Sequence, residues 1–496
     1  MKSSIALNQK NLSSLPLNVK IPNYDRDKVK TSIVHVGVGN FHRSHEEFFT
    51  NELMERYGNL NYGICGIGML DSDRRIYNIL KDQDGLYTVM IKELDGTISP
   101  HVIGSLIEFL FAPENPIAVI EKMADPDIKI ISMTITEGGY NIDKSLENLK
   151  LNKSVVSENM KNPRSPKTVF EYLTQAFKLR KERGLPGCTI QSCDNIQGNG
   201  DMAKKILLKY VSKAEPEIKD WIEKNVSFPN AMVDRITPVT VPGDIKRLRD
   251  EFMIEDQWPV VCEPFIQWVI EDKFIQGRPE WEKVGARFVD DVVPYEHMKL
   301  RLLNAGHSVL GMLGALHGYK TIDESAHDKD FLKFLKDFMD KEASPTLGNL
   351  GEVDLKKYKE SLISRFQNVY IKDLVSRICL ESSAKIPIFL LSTVKEQLKG
   401  DNNISRAAFI VAAWCKYNDG EDENGKTYNI DDAMSNELIR AAALSHQNPL
   451  CFLEIKSIFG DLAQNKAFSE AFLKSLEMLR NKKVKDCVVE LNKNLG

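Results

Sequence analysis

The residues best suited to chemistry lie together near the middle of the chain, on one predicted helix. Each residue of an α-helix advances about 100° around the axis. With Lys299 taken as zero, Glu296 lies at about 60°, His307 at about 80° and Asn304 at about 140° around the axis. An amine, a carboxylate, an imidazole and a carboxamide then share one side of the helix. Ionisable groups are costly to bury without partners, but a helix that lines a catalytic pocket uses them for proton transfer. The pattern predicts either an active-site wall or a solvated charged surface.

A glycine-containing turn follows the first predicted strand, residues 32–36. Gly37 and Gly39 come directly after this strand and precede a predicted helix, which is the position of the phosphate-binding turn in dinucleotide-binding folds. Glycine there lets the backbone turn tightly and approach a pyrophosphate at the helix N-terminus. His42 occupies the third glycine position of the GxGxxG pattern, so an ordinary strand–helix turn is the alternative interpretation.

Two aspartates follow the second predicted strand, residues 62–68. At the end of this strand a carboxylate can accept hydrogen bonds from an adenosine ribose and repel a 2′-phosphate. Asp71 and Asp73 are therefore candidates for cofactor selection. Each would serve equally well as a helix cap, and this alternative stays open.

Polar residues also end two later strands, at residues 134–139 and 191–195. Ligands of open α/β sheets bind outside the carboxyl ends of the strands, where an amide such as that of Asn195 can donate to a substrate oxygen. The alternative is turn chemistry, to which Asn and Asp are suited. Asp234 and Arg235 are similarly ambiguous, because such neighbours commonly form a structural ion pair.

The composition is that of a globular protein of more than one domain. The 496 residues are 42% hydrophobic and 27% charged, with a net charge of −4 that attracts neither nucleic acid nor an anionic membrane. The eight cysteines form no CxxC pair or zinc-type cluster, which predicts no metal and reduced thiols in the cytoplasm. No apolar run approaches the ~20 residues that span a bilayer.

The elements that must position these residues change in character along the chain. Apolar strands alternate with helical patterns in the first part, which indicates an α/β fold with a parallel sheet. Helical periodicity dominates after about residue 295. The sequence predicts a Rossmann-type dinucleotide-binding domain over residues 1–290 and a mostly α-helical substrate-binding and catalytic domain over residues 291–496.

The joint order of these motifs resembles the polyol-specific long-chain dehydrogenase family over nearly the whole chain. Each motif is weak alone, but their order and spacing are highly specific, and the family also carries His in place of the third glycine. The resemblance is carried by residues 33–45, 192–195, 230–238, 263–268 and the helix with Lys299, Asn304 and His307.

The resemblance implies roles for individual residues. Lys299 matches the general base, Asn195 and Asn304 match amides that hold the reacting oxygen, and Glu296 matches a proton relay to solvent. His307 matches a substrate-positioning residue, and further substrate-binding positions match Asp234, Arg377, Lys385 and Glu137. Cofactor-binding positions match Gly37, Gly39, Asn40, Phe41 and Asp73. Asp73 matches the acid that favours NAD, and Ser72 stands where a close relative has a second acid.

The expected activity is the NAD-dependent, metal-independent interconversion of D-mannitol and D-fructose by a cytoplasmic protein, a monomer as is common in the family. Burial and a cationic nicotinamide would make the lysine a better base, and the amides would supply the stabilisation that zinc supplies in other alcohol dehydrogenases. Within the family, a hexuronate reductase acting on fructuronate or tagaturonate, and a D-arabinitol 4-dehydrogenase, remain alternatives. A non-catalytic NAD-binding sensor is the alternative of a different class.

Overall fold

A computed structural model describes residues 4–140, 166–351, 353–400 and 402–494. The chain divides into two compact units, Met1–Val293 and Pro294–Gly496. The first is an α/β unit of Rossmann type and the second is helical, so the predicted fold class is confirmed.

The first unit is organised around a parallel sheet. Its strands in chain order are β1 Ile5–Ala6, β2 Thr31–Val36, β3 Gly63–Gly68, β4 Tyr87–Lys92, β5 Ile98–Ile103, β6 Leu106–Phe111, β7 Ile130–Met133, β8 Thr189–Ser192, β9 Ala231–Asp234, β10 Ile254–Glu255, β11 Val260–Cys262, β12 Gln267–Glu271 and β13 Arg287–Val289. Among the described residues, five of them form the parallel sheet in the order β6-β3-β2-β7-β8. Its central strands are buried and apolar because helices cover both faces.

One apolar, β-branched run of the first unit lies outside this sheet. The run at residues 87–91 forms β4, which pairs antiparallel with β5 and parallel with β11 in a separate three-stranded sheet. The sequence analysis also missed β6, which pairs with β3 at the edge of the parallel sheet. Only two residues separate β5 from β6, a spacing that indicates a hairpin although the two strands join different sheets.

The helices of the first unit fill the connections between strands. The helical segment that follows the glycine turn is divided at His45, whose φ of −123° and ψ of −89° interrupt the helical backbone. The α-helices are Asn40–Ser44, Glu46–Tyr57, Arg74–Asp82, Pro116–Ala124, Thr136–Gly139, Val169–Glu182, Asn199–Ala214, Lys219–Asn225 and Pro242–Phe252, with 3₁₀ turns at Gln9–Ser14, Arg26–Lys28, Asp71–Asp73, Pro216–Ile218 and Trp281–Val284.

The second unit packs its helices around Ser405–Tyr417, which is buried on nearly all sides. None of the helices within the described ranges is long and apolar enough to cross a membrane. The α-helices from the boundary onward are Val293–Met298, Ala305–His317, Ile322–His327, Lys329–Phe338, Leu355–Phe366, Val375–Cys379, Ser382–Phe389, Leu391–Leu398, Ser405–Tyr417, Ser435–Ser445, Lys456–Phe459, Lys466–Asn481 and Val484–Asn494. Shorter turns are π-helical at Lys299–Asn304 and Met339–Ala343 and 3₁₀ at Ser344–Thr346, Pro449–Glu454 and Leu462–Gln464.

Candidate active site

The turn after β2 contains two glycines that differ in what the protein requires of them. Gly37 has a φ of +95°, and a Cβ on it would lie 2.2 Å from the carbonyl oxygen of Thr134, which follows β7. Gly39 has an ordinary φ of −94°, and the nearest atom to its Cβ position is 4.0 Å away. Packing therefore requires glycine at 37 but not at 39, where the missing side chain leaves the backbone open to a ligand.

The helix that begins at Asn40 presents its first backbone N–H groups beside this turn. The N–H of Gly39 donates to the carbonyl of Gly37 at 2.8 Å, and the N–H of Arg43 donates to that of Gly39 at 3.2 Å. The N–H groups of Asn40 and Phe41 belong to the first turn, where a helix provides no carbonyl partners. Arg43 fixes the side chain of Asn40 by donating to its Oδ1 at 2.7 Å. The predicted cofactor residues of this segment thus lie together at the carboxyl end of β2.

His42, at the third glycine position, lies in a buried ionic network. Its ring stacks on that of His35 of β2, with centroids 3.2 Å apart. Nδ1 of His42 is 3.2 Å from Oε2 of Glu46, and Nε2 is 2.8 Å from Oε1 of Glu47. Burial by itself disfavours the imidazolium, but the carboxylates of Glu47 and Glu46 raise the pKa of His42 to about 9. His42 therefore places a positive charge next to the turn.

His35 connects this network to the backbone of the glycine turn. Its Nδ1 lies 2.7 Å from Oγ of Ser132, and its Nε2 lies 2.9 Å from Oγ1 of Thr134. Thr134 donates from Oγ1 to the carbonyl of Gly37 at 2.7 Å. Burial lowers the pKa of His35 to about 4, so the ring is neutral. This support was not predicted from the sequence, although a histidine inside an apolar strand is a visible signal.

The same network contains the group of potential metal ligands found among the described residues. The ligand atoms of His35, His42 and Glu46 lie within 4.8 Å of one another. A metal bound to an imidazole nitrogen lies close to the plane of the ring. The two rings are stacked at 3.2 Å with an interplanar angle of 8°, so one ion cannot lie in both planes. The geometry suits ion pairing and hydrogen bonding.

Asp73 closes the loop that follows β3. Its Oδ2 accepts hydrogen bonds from the backbone N–H groups of Met69 and Leu70, each at 2.9 Å. The capping alternative raised from the sequence therefore applies to Asp73, and Oδ1 remains as the oxygen that a ribose could reach. Asp71 is exposed two residues earlier in the same 3₁₀ turn.

Asp194 joins the two strand ends that follow β7 and β8. Its Oδ1 accepts from the backbone N–H of Thr136 at 2.7 Å, and its Oδ2 accepts from the hydroxyl of Tyr140 at 2.8 Å. Thr136 has a φ of +58°, a left-handed conformation that threonine rarely adopts and that is often found near ligand sites. Asn195 follows directly and is exposed at this edge of the sheet. Asp194 thus ties the start of the loop that contains Asn195 to the segment after β7.

Two other predicted site residues of the first unit lie at element ends. Asp234 is buried at the end of β9. Its neighbour Arg235 is held by the backbone carbonyls of Ser44 and Glu263, at 2.5 and 3.1 Å. Glu137 lies in the short helix after β7, and its side chain lies outside the described residues.

The helix that carries Lys299 in the second unit is not a continuous α-helix. Lys299–Asn304 is π-helical between the α-helices Val293–Met298 and Ala305–His317. The backbone N–H of Ala305 accordingly reaches the carbonyl of Leu300, five residues back. The angles predicted for Asn304 and His307 were therefore wrong, because they assumed α-helical rotation throughout. Such single π turns inside α-helices are frequent at functional sites.

The face of this helix is buried. Glu296, Lys299 and His307 are 4%, 7% and 8% exposed, so the alternative of a solvated charged surface does not describe it. Oδ1 of Asn304 is also buried, and no residue in the described ranges hydrogen-bonds to it. Three ionisable side chains and one amide oxygen are thus withdrawn from bulk water along this helix, which is unusual unless they serve a site.

Asp373, which was not predicted from the sequence, lies beside two of the predicted substrate-binding residues of the second unit, Arg377 and His307. Nε and Nη2 of Arg377 donate to its two oxygens at 2.6 and 2.5 Å. Nε2 of His307 lies 3.8 Å from Oδ2 of Asp373. Nζ of Lys385 lies 3.4 Å from the carbonyls of Arg377 and Ile378. The bidentate pair gives the exposed Arg377 guanidinium a carboxylate partner within the protein.

Comparisons with known proteins cover both units. A family model described as the mannitol dehydrogenase Rossmann domain matches residues 31–283, and one described as the mannitol dehydrogenase C-terminal domain matches residues 291–480. Mannitol 2-dehydrogenase of Phaeosphaeria nodorum is 42% identical over 481 residues, covering 96% of this chain and 84% of the relative. That of Aspergillus oryzae is 42% identical over 484 residues, covering 95% and 96%.

Two solved structures are similar over the whole chain. The ternary complex of Pseudomonas fluorescens mannitol 2-dehydrogenase with NAD and D-mannitol has a TM-score of 0.90 and 40% identity, covering 99% of this chain and 100% of that one. A D-sorbitol dehydrogenase in substrate-free form has a TM-score of 0.89 and 36% identity, covering 98% and 100%.

Proposed function

Because the chain belongs to the mannitol dehydrogenase family, we propose that it is an NAD-dependent oxidoreductase that interconverts D-mannitol and D-fructose by hydride transfer at C2. The first unit holds the cofactor and the second carries the catalytic lysine. The solved relative whose complex contains NAD and D-mannitol supports both the cofactor and the substrate.

The glycine turn supports NAD as the cofactor. Position 39 has room for a Cβ but is a glycine, which leaves its backbone accessible. The N–H groups of Asn40 and Phe41 lie in the first turn of a helix, where they can donate to a pyrophosphate. Asp73 would hold the adenosine ribose through Oδ1 and repel a 2′-phosphate. When bound, NAD supplies the acceptor for the hydride that leaves C2.

The observation that carries the proposed chemistry is the buried lysine on the π turn. Nζ of Lys299 takes the proton of the substrate hydroxyl in oxidation and returns it in ketone reduction. The amide of Asn304 stabilises the oxygen as charge develops on it, and we assign the same role to Asn195. Glu296 passes the proton between Lys299 and solvent. A lysine and amides can perform this step without a metal ion.

The charge of the predicted substrate-binding residues supports a neutral substrate. A uronate would place a carboxylate in the site, and Arg377 would be its natural partner. Arg377 is already paired through its Nε/Nη2 edge with Asp373, whose negative charge would repel a second carboxylate. Polyol hydroxyls can instead bond to Asp373, His307 and Lys385. We therefore rank a hexuronate reductase below a polyol dehydrogenase.

The similarity to a D-sorbitol dehydrogenase supports a second candidate, a polyol dehydrogenase whose main substrate is D-sorbitol. D-Arabinitol is the third. A pocket distinguishes such polyols through hydroxyl contacts and chain length, so relative rates must be measured. Initial rates of NADH formation with the three polyols, and of NADH oxidation with D-fructose, xylulose, fructuronate and tagaturonate, would decide among them. The proposal requires D-mannitol and D-fructose to give the highest kcat/KM, with D-fructose as the oxidation product.

The role of Lys299 is tested by Lys299→Met, which keeps the apolar stem and removes the amine. We expect kcat for mannitol oxidation to fall by about 10²–10⁴-fold while NADH binding persists. Lys336→Met is the matched control, because Lys336 is exposed on another helix of the same unit. Near-normal turnover by Lys299→Met would contradict the mechanism. A folded variant that has lost NADH binding would instead make Lys299 a cofactor residue.

A further inference from the structure

The π turn changes which residues of the catalytic helix are neighbours. In an α-helix, residues four apart lie one above the other, and a residue five apart is rotated by about 140° from the first. In a π turn the hydrogen bond runs between residues five apart, so residues i and i+5 lie one above the other. Lys299 and Asn304 are the first and last residues of the turn and have this spacing. The extra residue therefore brings the proposed base and the proposed amide onto one face.

A π turn needs stabilisation from outside the helix, because it is rare compared with the α-helix that flanks it here. Leu302 is a buried apolar member of the turn and belongs to the hydrophobic core of the unit. Its contacts are non-directional and would also be available to a regular α-helix. They do not explain why the extra residue is accommodated at this position.

Arg301 makes a directional contact from the middle of the turn. Its side chain is 8% exposed, and Nη1 donates to the backbone carbonyl of Thr346. Thr346 ends the 3₁₀ turn Ser344–Thr346 and is tied by its hydroxyl to the carbonyl of Ala343 at 2.7 Å. Ala343 is the last residue of the second π segment, Met339–Ala343, and this segment contacts the π turn Lys299–Asn304. The acceptor is thus a fixed part of the backbone.

The packing around the turn leaves little freedom for this contact to shift. A Cβ on Gly306, two residues after the turn, would lie 3.1 Å from Cε of Met339 and 3.3 Å from Cδ1 of Leu335. A buried guanidinium is costly unless it is hydrogen-bonded, so the carbonyl of Thr346 is the partner that fixes the direction of Arg301. The side chain and the two backbone segments therefore define one register of the turn.

We propose that Arg301 is a positioning residue for catalysis, because its hydrogen bond to Thr346 holds the π turn in the register that places Lys299 and Asn304 on one face. Arg301 acts through these two residues and need not touch the substrate. The inference rests on the proposed function, since it assigns Arg301 a part in the polyol oxidation carried out by Lys299.

The test compares Arg301→Met, which keeps an apolar stem but no donor, with Arg301→Lys, which keeps a charged donor on a flexible stem. Arg480→Met is the matched control, because Arg480 donates to Oγ of Ser445 in the same unit, away from the π turn. Turnover of D-mannitol is expressed per NADH-binding site, counted by fluorescence titration. This normalisation removes losses caused by misfolded protein.

We expect kcat of Arg301→Met to fall by about 10–100-fold, because a displacement of about 1 Å at reacting groups has an effect of this size. The KM for NAD should change by no more than about twofold, and Arg301→Lys should recover part of kcat. Arg480→Met should lower the melting temperature without lowering kcat. In an Asn304→Ala background, Arg301→Met should cost less than in the unmutated protein, because the two changes disrupt the same alignment.

Unchanged kcat per site in Arg301→Met would overturn the proposal, and so would additive losses in the double variant. If Arg301→Met does not fold, Arg301→Gln carries the test, because its amide nitrogen ends two bonds short of the Nη1 position; a kcat per site equal to that of the unmutated enzyme in this variant overturns the proposal. An unmutated protein that oxidises no polyol with NAD would refute the proposed function itself. That result is distinguishable, because the other outcomes all require an active parent enzyme.

Discussion

Replacing the two glycines of the turn after β2 with alanine should affect two different properties of the protein. Gly37→Ala forces alanine to a φ of +95° and places its Cβ 2.2 Å from a backbone carbonyl. Left-handed backbone costs an alanine about 1–2 kcal/mol, and overpacking adds about 1–3 kcal/mol. The unfolding free energy should therefore fall by about 2–5 kcal/mol. For a unit of this size, that lowers the melting temperature by about 3–8 °C.

Gly39→Ala should leave the melting temperature of the cofactor-free protein unchanged or slightly raised. The φ of −94° at this position suits alanine, and the added Cβ would meet no atom closer than 4.0 Å. Alanine also lowers the conformational entropy of the unfolded chain, which favours the folded state. The added methyl group would instead stand where the pyrophosphate approaches the backbone. We expect the Kd for NADH to rise by at least about tenfold, equivalent to about 1.4 kcal/mol.

Thermal melts without cofactor and fluorescence titrations with NADH measure the two effects separately. Each variant serves as the control for the other, because both add the same methyl group to the same turn. Unchanged NADH affinity in Gly39→Ala would show that the pyrophosphate does not approach this backbone. An unchanged melting temperature in Gly37→Ala would refute the steric argument at the end of β7.

Four other outcomes are expected. Asp73→Asn should narrow the preference for NAD over NADP in kcat/KM with little change in melting temperature. Asp73→Ala should also lower the unfolding free energy by about 1 kcal/mol, because the loop loses its capping hydrogen bonds. Equal use of both cofactors by the unmutated enzyme would contradict the assignment. The pKa of His42 is raised to about 9, so its stabilising contribution is complete below about pH 6.5 and lost as the pH rises through about 9. The difference in melting temperature between the unmutated protein and His42→Gln should therefore shrink between about pH 6 and about pH 10, and a constant difference would argue against a charged His42. Alcohol oxidation should rise with pH as Lys299 loses its proton while ketone reduction falls, and pH–rate profiles that run in parallel would exclude Lys299 as the shared acid and base. Activity should survive prolonged chelator treatment, and a stoichiometric zinc whose removal abolishes turnover would refute the metal-free mechanism.

The sequence by itself determined the fold class, because periodicity and strand–helix alternation are local properties. The buried strand before Gly37, the helix after it and the helical second half all followed from such patterns. The family followed from the order of short motifs and is shown by matches to both units. The roles of individual site residues, the monomeric state and the cytoplasmic location remain predictions.

The tertiary structure decided the properties that depend on residues far apart in sequence. Asp373 lies 66 positions from His307 and Asp194 lies 58 from Thr136, so no local pattern could pair them. Strand β4 has the composition of a parallel-sheet strand, but its hydrogen-bonding partners place it in another sheet. The π turn depends on packing in the same way, because a single extra residue per turn leaves no mark on composition. The extra residue in this turn is visible only in its backbone hydrogen bonds, such as that from the N–H of Ala305 to the carbonyl of Leu300.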